Sequence, residues 1–337
     1  MPKPDNDVAR NLLHAKLLET QEFQLIQGAV HRLWDSITVV KDVRQPWGAG
    51  NRAPTTGLIV IGEFRAGKTF GTEAAVRQLI PKTIATNKEV SPKIVSVDAP
   101  PQFTQEGLDR QLLGAMNLMP SRPLGSTQTR ERLQRRLALF QPTLIRIDEF
   151  QRTLFPIQVS AQRLAGERER AWGAIRSLMD DPNWPVPVVL TGTPDILPVL
   201  EQREMGFLRE KCEIVELPRM RPGNPQDLND LEDAVEIYAS AVGLKVIEPM
   251  VSDLCARLML AANYAKGLAF ELTQRAVLNA LQRHQAGVDR ENFATVYARK
   301  TGAHPPANPF IASDWHRVDP TRLLAPDNRP YSEGGKP

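Results

Sequence analysis

The apolar run Leu58-Ile59-Val60-Ile61 leads directly into Gly62-Glu63-Phe64-Arg65-Ala66-Gly67-Lys68-Thr69, and this juxtaposition constrains the fold more than any other stretch of the chain. The octapeptide matches G-x-x-x-x-G-K-[ST] with a strand-like run before it and helix-forming residues after it. Its two glycines let the backbone wrap tightly, so that N–H groups at the start of the next helix converge on an anion. Lys68 would set a cation against the β- and γ-oxygens of ATP, and the Thr69 hydroxyl would take one position on Mg²⁺. The candidate cofactor-binding segment therefore runs through Gly62, Glu63, Phe64, Arg65, Ala66, Gly67, Lys68, Thr69 and Phe70.

Four more short apolar runs follow, Lys93–Val97, Thr143–Ile147, Val186–Leu190 and Glu213–Leu217, with helix-length segments between them. Parallel strands need such crossovers, so the spacing predicts an α/β fold with a parallel five-stranded sheet and flanking helices. Ahead of it, Leu12, Leu13, Leu17, Leu18, Phe23, Ile26, Val30, Leu33 and Trp34 recur at helical spacing. The Arg219–Pro225 cluster breaks the pattern, and Leu228–Val242, Glu248–Leu260, Leu268–His284 and Asp289–Arg299 then read as packed helices. The expected organisation is an N-terminal helical segment (1–43), a nucleotide-binding α/β domain (44–220), a small all-α lid domain (221–302) and a Pro-rich tail (303–337) that docks or stays mobile.

The second half of a nucleotide site should be an acidic pair at the end of another buried strand, and Leu144-Ile145-Arg146-Ile147-Asp148-Glu149 supplies one. Asp148 would organise the Mg²⁺ shell, while Glu149 would orient and partly deprotonate the attacking water. Arg146 departs from the apolar pattern and predicts one face of this strand that is not deeply buried. The Val186–Leu190 run continues into Thr191-Gly192-Thr193-Pro194, where a γ-phosphate sensor belongs; Thr193 is preferred over Thr191, and a plain turn serves equally well. Arg209, with Arg203 second, is the candidate arginine reaching a neighbouring subunit's γ-phosphate, although a solubilising surface role is an equal reading. Lys266 opens a helix and has a reach toward phosphate, but a structural role outweighs it.

Composition narrows the class. A chain of 337 residues, 42% hydrophobic and 24% charged, is long enough and apolar enough for a globular core. Its two cysteines, Cys212 and Cys255, support neither a disulfide framework nor a zinc-ligand spacing, which fits a reducing compartment. The start MPKPDNDVAR lacks a signal-peptide pattern, and no uncharged run approaches the roughly 18 residues that span a bilayer; the expectation is a cytoplasmic protein with no membrane partner. A formal charge of +3 neither requires nor excludes a polyanion.

Phosphate loop, acidic pair, hydroxyl sensor, arginine and helical lid, in this order, resemble the AAA+ superfamily of P-loop NTPases over about residues 20–300. Within it, the Gly-Glu-x-x-x-Gly-Lys-Thr loop, Ile147-Asp148-Glu149-Phe150-Gln151, Thr191-Gly192-Thr193-Pro194 and Asn308-Pro309-Phe310 are similar to the TniB/TnsC family of transposition ATPases. Phe64 and Arg65 depart from that family, whose loop usually carries small or hydroxyl residues there. The resemblance implies ATP hydrolysis, binding of double-stranded DNA without strong sequence preference, self-association into a ring or helical filament, and delivery of the target to a transposase, with a target-selection protein as a further candidate partner. It assigns nucleotide roles to Lys68, Thr69, Asp148, Glu149 and Thr193, and a trans role to Arg209. DNA contact would then fall to Arg122, Arg130, Arg132, Arg135 and Arg136, or to Lys82, Lys88 and Lys93; a solvated helix face is the competing reading of the arginines. A replication initiator or clamp-loader-like ATPase, and a protein-remodelling or signalling ATPase, are the alternatives. No clear helix-turn-helix pattern follows Arg299 to favour the initiator.

Overall fold

The computed structural model describes residues 18–84, 89–101, 104–118, 125–154, 161–202, 206–247 and 253–322. Five strands form one parallel sheet: β1 (Gly57–Gly62), β2 (Ile94–Asp98), β3 (Leu144–Asp148), β4 (Val188–Gly192) and β5 (Cys212–Leu217), in the order β2-β3-β4-β1-β5. Each lies within two residues of its predicted run. The largest offset is at β4, where Pro187 brings no N–H to the ladder and pairing begins at Val188.

Register fixes what the strand ends present. Ile61 of β1 pairs with Gly192 of β4 and Asp98 of β2 with Asp148 of β3, so the phosphate loop, the acidic pair and the threonine turn all leave the carboxyl edge of one sheet. Strands β1, β3 and β4 are buried along their whole lengths, whereas the edge strand β5 exposes Glu213, Ile214 and Glu216. Charges on an edge discourage pairing with another chain.

Arg146 corrects one expectation. It is only 6% exposed, in the middle of a strand buried throughout. Its charge is met by Glu73 Oε1 at 2.9 Å and Asp148 Oδ2 at 3.3 Å. Glu73 from outside the strand and Asp148 two residues along it allow the guanidinium into the interior, so no exposed face is required.

Around the sheet run α1 (Gln21–Ser36), α2 (Lys68–Arg77), α3 (Gln105–Ala115), α4 (Ser126–Phe140), α5 (Ala161–Met179) and the short α6 (Gly206–Lys211). The helical spacing in α1 is realised: Phe23, Ile26, Val30, Leu33 and Trp34 are all buried, and the Trp34 indole donates to the Ile80 carbonyl at 3.1 Å. Leu12, Leu13 and Leu17 lie outside the described residues. Helix α3 starts where the Thr104 hydroxyl accepts from the Gly107 N–H at 3.1 Å.

Contacts divide the chain into two compact units, one of Gln24–Gly62 with Lys68–Leu217, the other of Pro218–Pro337 with Met1–Phe23 and Glu63–Gly67. The second is helical: α7 (Pro225–Ala241), α8 (Leu254–Ala261), α9 (Lys266–Gln282) and α10 (Arg290–Thr301). Asn224 caps α7 ahead of Pro225, and a capping box of Asp289 and Asn292 opens α10, which Gly302 ends at φ 70°. Beyond Gly302 the described chain docks. Asn308 is buried, donating to the Ala294 carbonyl at 2.9 Å and accepting from the Phe310 N–H at 3.0 Å. Phe310 packs against Phe293 and Tyr297, and the buried Arg257 donates to the carbonyls of Pro309 and Ala312. Both cysteines are buried as free thiols, with burial pushing each to about 12. Among the described residues no helix is long and apolar enough to cross a membrane.

Candidate nucleotide-binding site

The loop between β1 and α2 is bent by two residues in the left-handed region, Arg65 at φ 63° and Gly67 at φ 102°. Gly67 is needed for space as well, since a Cβ there would sit 2.8 Å from the Phe23 ring. The Ala66 N–H donates to the Glu63 carbonyl at 3.0 Å and closes the turn. Lys68 lies in the first turn of α2, and its ammonium donates to the Gly62 carbonyl at 2.8 Å.

Asp148, at the end of β3, is the most heavily constrained side chain of the site. Its Oδ2 accepts from the Thr69 hydroxyl at 2.7 Å and from Arg146 at 3.3 Å; its Oδ1 accepts from the Glu149 N–H at 2.8 Å and from the Thr191 hydroxyl. Burial alone would push this carboxyl up, but the bonds from Thr191, Thr69 and the Glu149 N–H, with the charge of Arg146, outweigh it and hold Asp148 below the usual carboxylate range. It is therefore a fixed, ionised oxygen donor beside a threonine hydroxyl. That pair suits magnesium, which takes one or two protein oxygens and keeps several waters.

Glu149 adopts φ 56° and ψ 38°, a left-handed backbone that costs a non-glycine residue on the order of 1 kcal/mol. The kink starts the short turn Phe150–Thr153, and it returns Gln151 to the carboxylate: Gln151 Nε2 donates to Glu149 Oε2 at 2.7 Å, while its Oε1 accepts from the Thr193 N–H at 3.3 Å. Gln151 and Arg146 are functional candidates that sequence reasoning missed as such. Gln151 was legible only as part of a family-like segment, and Arg146 only as an oddity in an apolar strand.

Of the two threonines, the structure brings Thr191 to Asp148. The Thr193 hydroxyl instead donates to Asp195 at 2.9 Å. Register is the cause: Thr191 lies inside β4, fully buried, and Thr193 follows the strand. Arg209 is exposed on α6, and Arg203 lies outside the described residues. Lys266, buried at the start of α9, stands 3.0 Å from Glu22 and Asp230 and 3.4 Å from Asp227. Burial would lower its pKa, but the carboxylates of Glu22 and Asp230 outweigh that and hold it above the ordinary lysine value. In the loop itself, Arg65 pairs with Glu271 at 3.0 Å, Glu63 pairs with Arg219 at 2.9 Å, Phe64 is 68% exposed and Phe70 is half-buried.

The arginine cluster divides. Arg130 pairs with the buried Asp109 at 2.8 Å and donates to the Ala174 carbonyl, and Arg136 donates to the Met116 carbonyl at 3.1 Å. Arg132 and Arg135 are exposed on the same helix, and Arg122 lies outside the described residues. In the alternative patch Lys82 pairs with Asp35, Lys93 stands 3.8 Å from the Phe140 ring centroid, and Lys88 lies outside the described residues.

The AAA domain family AAA_22 matches residues 53–200. Among solved structures, the chain is similar to the Aeropyrum pernix ORC1 protein in complex with DNA (20% identity, TM-score 0.53, covering 82% of this chain and 65% of that one). It is also similar to the Aeropyrum pernix ORC2 protein with ADPNP and ADP (13%, TM-score 0.54, 82% and 66%). A third likeness is to Cdc6p from Pyrobaculum aerophilum (13%, TM-score 0.54, 83% and 66%). The chain thus spans about 65–66% of the length of these structures. No curated protein sequence matches it. The fold is the AAA+ P-loop fold, a parallel five-stranded sheet flanked by helices.

Proposed function

We propose that this chain is an ATP-hydrolysing AAA+ protein that assembles on double-stranded DNA and regulates transposition there. The observation that carries the ATPase reading is Asp148, held by Thr69, Thr191, Arg146 and the Glu149 N–H at the same sheet edge as the phosphate loop. Lys68 offsets charge on the β- and γ-phosphates, and Thr69 with Asp148 holds magnesium. Bound magnesium supplies a cation that neutralises charge developing on the phosphate oxygens. Glu149 accepts the proton of the attacking water, and Gln151 holds its carboxylate in place for that. Arg209, exposed on α6, completes a neighbour's site.

Titration calorimetry and steady-state hydrolysis test the nucleotide site together. Lys68→Ala should lose ATP binding; Glu149→Gln should keep it while kcat falls about 100-fold or more. Undiminished turnover in Glu149→Gln would remove the base assignment. For the trans arginine, an Arg209→Ala chain mixed with a Lys68→Ala chain should recover activity that neither has alone; an inactive mixture speaks against it.

The transposition role rests on the motif resemblance to TniB/TnsC proteins. A replication-initiator-like role is the second reading, favoured by the fold likeness to a protein solved with DNA, ORC1. Gel shifts of plain duplex with a slowly hydrolysed ATP analogue test what both share. Stimulation of transposase-catalysed strand transfer by this chain separates them, and a stimulation unchanged by Lys68→Ala would argue against the ATP-dependent regulator.

A further inference from the structure

Helix α9 carries a glycine where a helix has no local use for one. Gly267 lies in its first turn with an ordinary backbone conformation, and glycine weakens a helix relative to alanine. The reason for it lies across the helix surface. A Cβ at 267 would meet the Arg65 carbonyl oxygen at 2.6 Å, the Gly67 nitrogen at 3.1 Å and the Ala66 carbonyl carbon at 3.3 Å. These are backbone atoms of the phosphate loop, and no side-chain rotation relieves the contact. Four residues on, along the same face, Glu271 accepts from the Arg65 guanidinium at 3.0 Å. Just before it, Lys266 is locked among Glu22, Asp227 and Asp230, which anchors the first turn of the helix. Consistent with this, Glu63–Gly67 groups by contacts with the helical unit rather than with the strand and helix it joins.

We infer that α9 is the template on which the phosphate loop takes its anion-receiving shape, with Gly267 and Glu271 as positioning residues. Gly267 supplies the close backbone approach. Glu271 holds Arg65, whose left-handed φ of 63° sets the bend before Gly67. The inference rests on the nucleotide reading and goes beyond it: the loop motif alone does not set affinity, and residues more than 190 positions downstream do.

The test compares wild type, Gly267→Ala, Glu271→Gln and, as a helix control, Gly173→Ala in α5, where a Cβ meets nothing within 4 Å. Titration calorimetry with magnesium and ATP is the first measurement; a wild-type chain that takes up no nucleotide sinks the site reading, not this one. Given wild-type binding, Gly267→Ala should raise KM and Kd for ATP about tenfold or more with kcat within about twofold, because a displaced loop loses ground-state contacts. Amide exchange at Ala66 and Gly67 should speed up in the same variant while the nucleotide-free melting temperature holds. Glu271→Gln, which introduces no bulk, should raise KM about threefold, and Gly173→Ala should leave it unchanged. An unchanged KM in either Gly267→Ala or Glu271→Gln overturns the inference, and so does a fall confined to kcat.

Discussion

Asp109, in the middle of α3, is fully buried, with one carboxylate oxygen on Arg130 and the other without a hydrogen-bond partner among the described residues. Burial pushes its carboxyl up to about 6 despite the opposing charge of Arg130. The folded state therefore binds this proton more tightly than the unfolded chain. The stabilisation is complete below the ordinary aspartate value, about 3.9, and is lost as pH rises through about 6, a swing of roughly 3 kcal/mol. Urea denaturation at pH 4 and pH 6.5 should show the wild type losing about 2 kcal/mol of that swing relative to Asp109→Asn, since the unfolded carboxyl is already half ionised at pH 4; a wild-type-minus-variant difference that stays level across the window contradicts it. Arg52 presents the opposite charge. It is 1% exposed, stacked 4.5 Å from the Trp184 ring centroid and 5.4 Å from that of Trp47, and all three guanidinium nitrogens lack a hydrogen-bond partner among the described residues. Burial lowers it to about 10, so it stays charged at neutral pH and bears the desolvation cost. Arg52→Met, of similar length and apolar, should be at least as stable as wild type, because a buried charge without hydrogen bonds is replaced by packing. A melting temperature several degrees lower would mean that stacking on the two indoles outweighs desolvation.

At the level of elements, a buried arginine joins Asn308 and Phe310 in docking the chain beyond Gly302. Arg257 on α8 holds the carbonyls of Pro309 and Ala312 at 2.6 and 2.9 Å, stacks 5.2 Å from the Trp315 ring centroid, and is itself held by Asp253 at 2.8 Å. In Arg257→Ala two carbonyls lose their donor, so trypsin should cut at Arg317 well before it attacks the helices; cleavage as slow as in wild type would show that Asn308 and Phe310 suffice. Little of this was legible beforehand. Seven prolines mark the last stretch as non-helical, but Asn308 is fixed by a carbonyl on α10, fourteen residues back, which no local pattern reveals. The five strands were legible because short β-branched runs between helix-length segments have few other solutions, whereas the helix expected from Leu228 starts earlier, at Pro225, because Asn224 caps it and proline suits a first turn. Within the site, the loop and Asp148-Glu149 are contiguous motifs and could be read directly. Which of Thr191 and Thr193 meets Asp148 depends on how far β4 extends, and the Gln151–Glu149 bond depends on a left-handed residue at 149. Those are properties of register and backbone, and composition does not encode them.

For the molecule as a whole, the question is how a chain with a formal charge of only +3 would hold DNA. Of the four described arginines in the cluster, Arg130 and Arg136 already serve the fold, while Arg132 and Arg135 are exposed. Two phosphate contacts per chain give a salt slope of about −1.8 and, alone, little affinity. Copies linked through nucleotide would multiply those contacts, since each added copy binds an already tethered duplex at high effective concentration. Duplex binding should therefore be weak without nucleotide and steeply cooperative in protein concentration with a slowly hydrolysed ATP analogue. Its log–log salt slope should also exceed the single-chain figure severalfold. Arg132→Ala with Arg135→Ala should flatten that slope and leave ATP binding intact, whereas Arg130→Ala should chiefly lower the melting temperature, because it strands the buried Asp109. Fluorescence anisotropy on a labelled duplex of arbitrary sequence, titrated at four salt concentrations, measures cooperativity and slope, and a thermal melt measures the Arg130→Ala effect. Non-cooperative binding with a slope indifferent to Arg132 and Arg135 would move the DNA contact to other residues and remove self-association as the source of affinity.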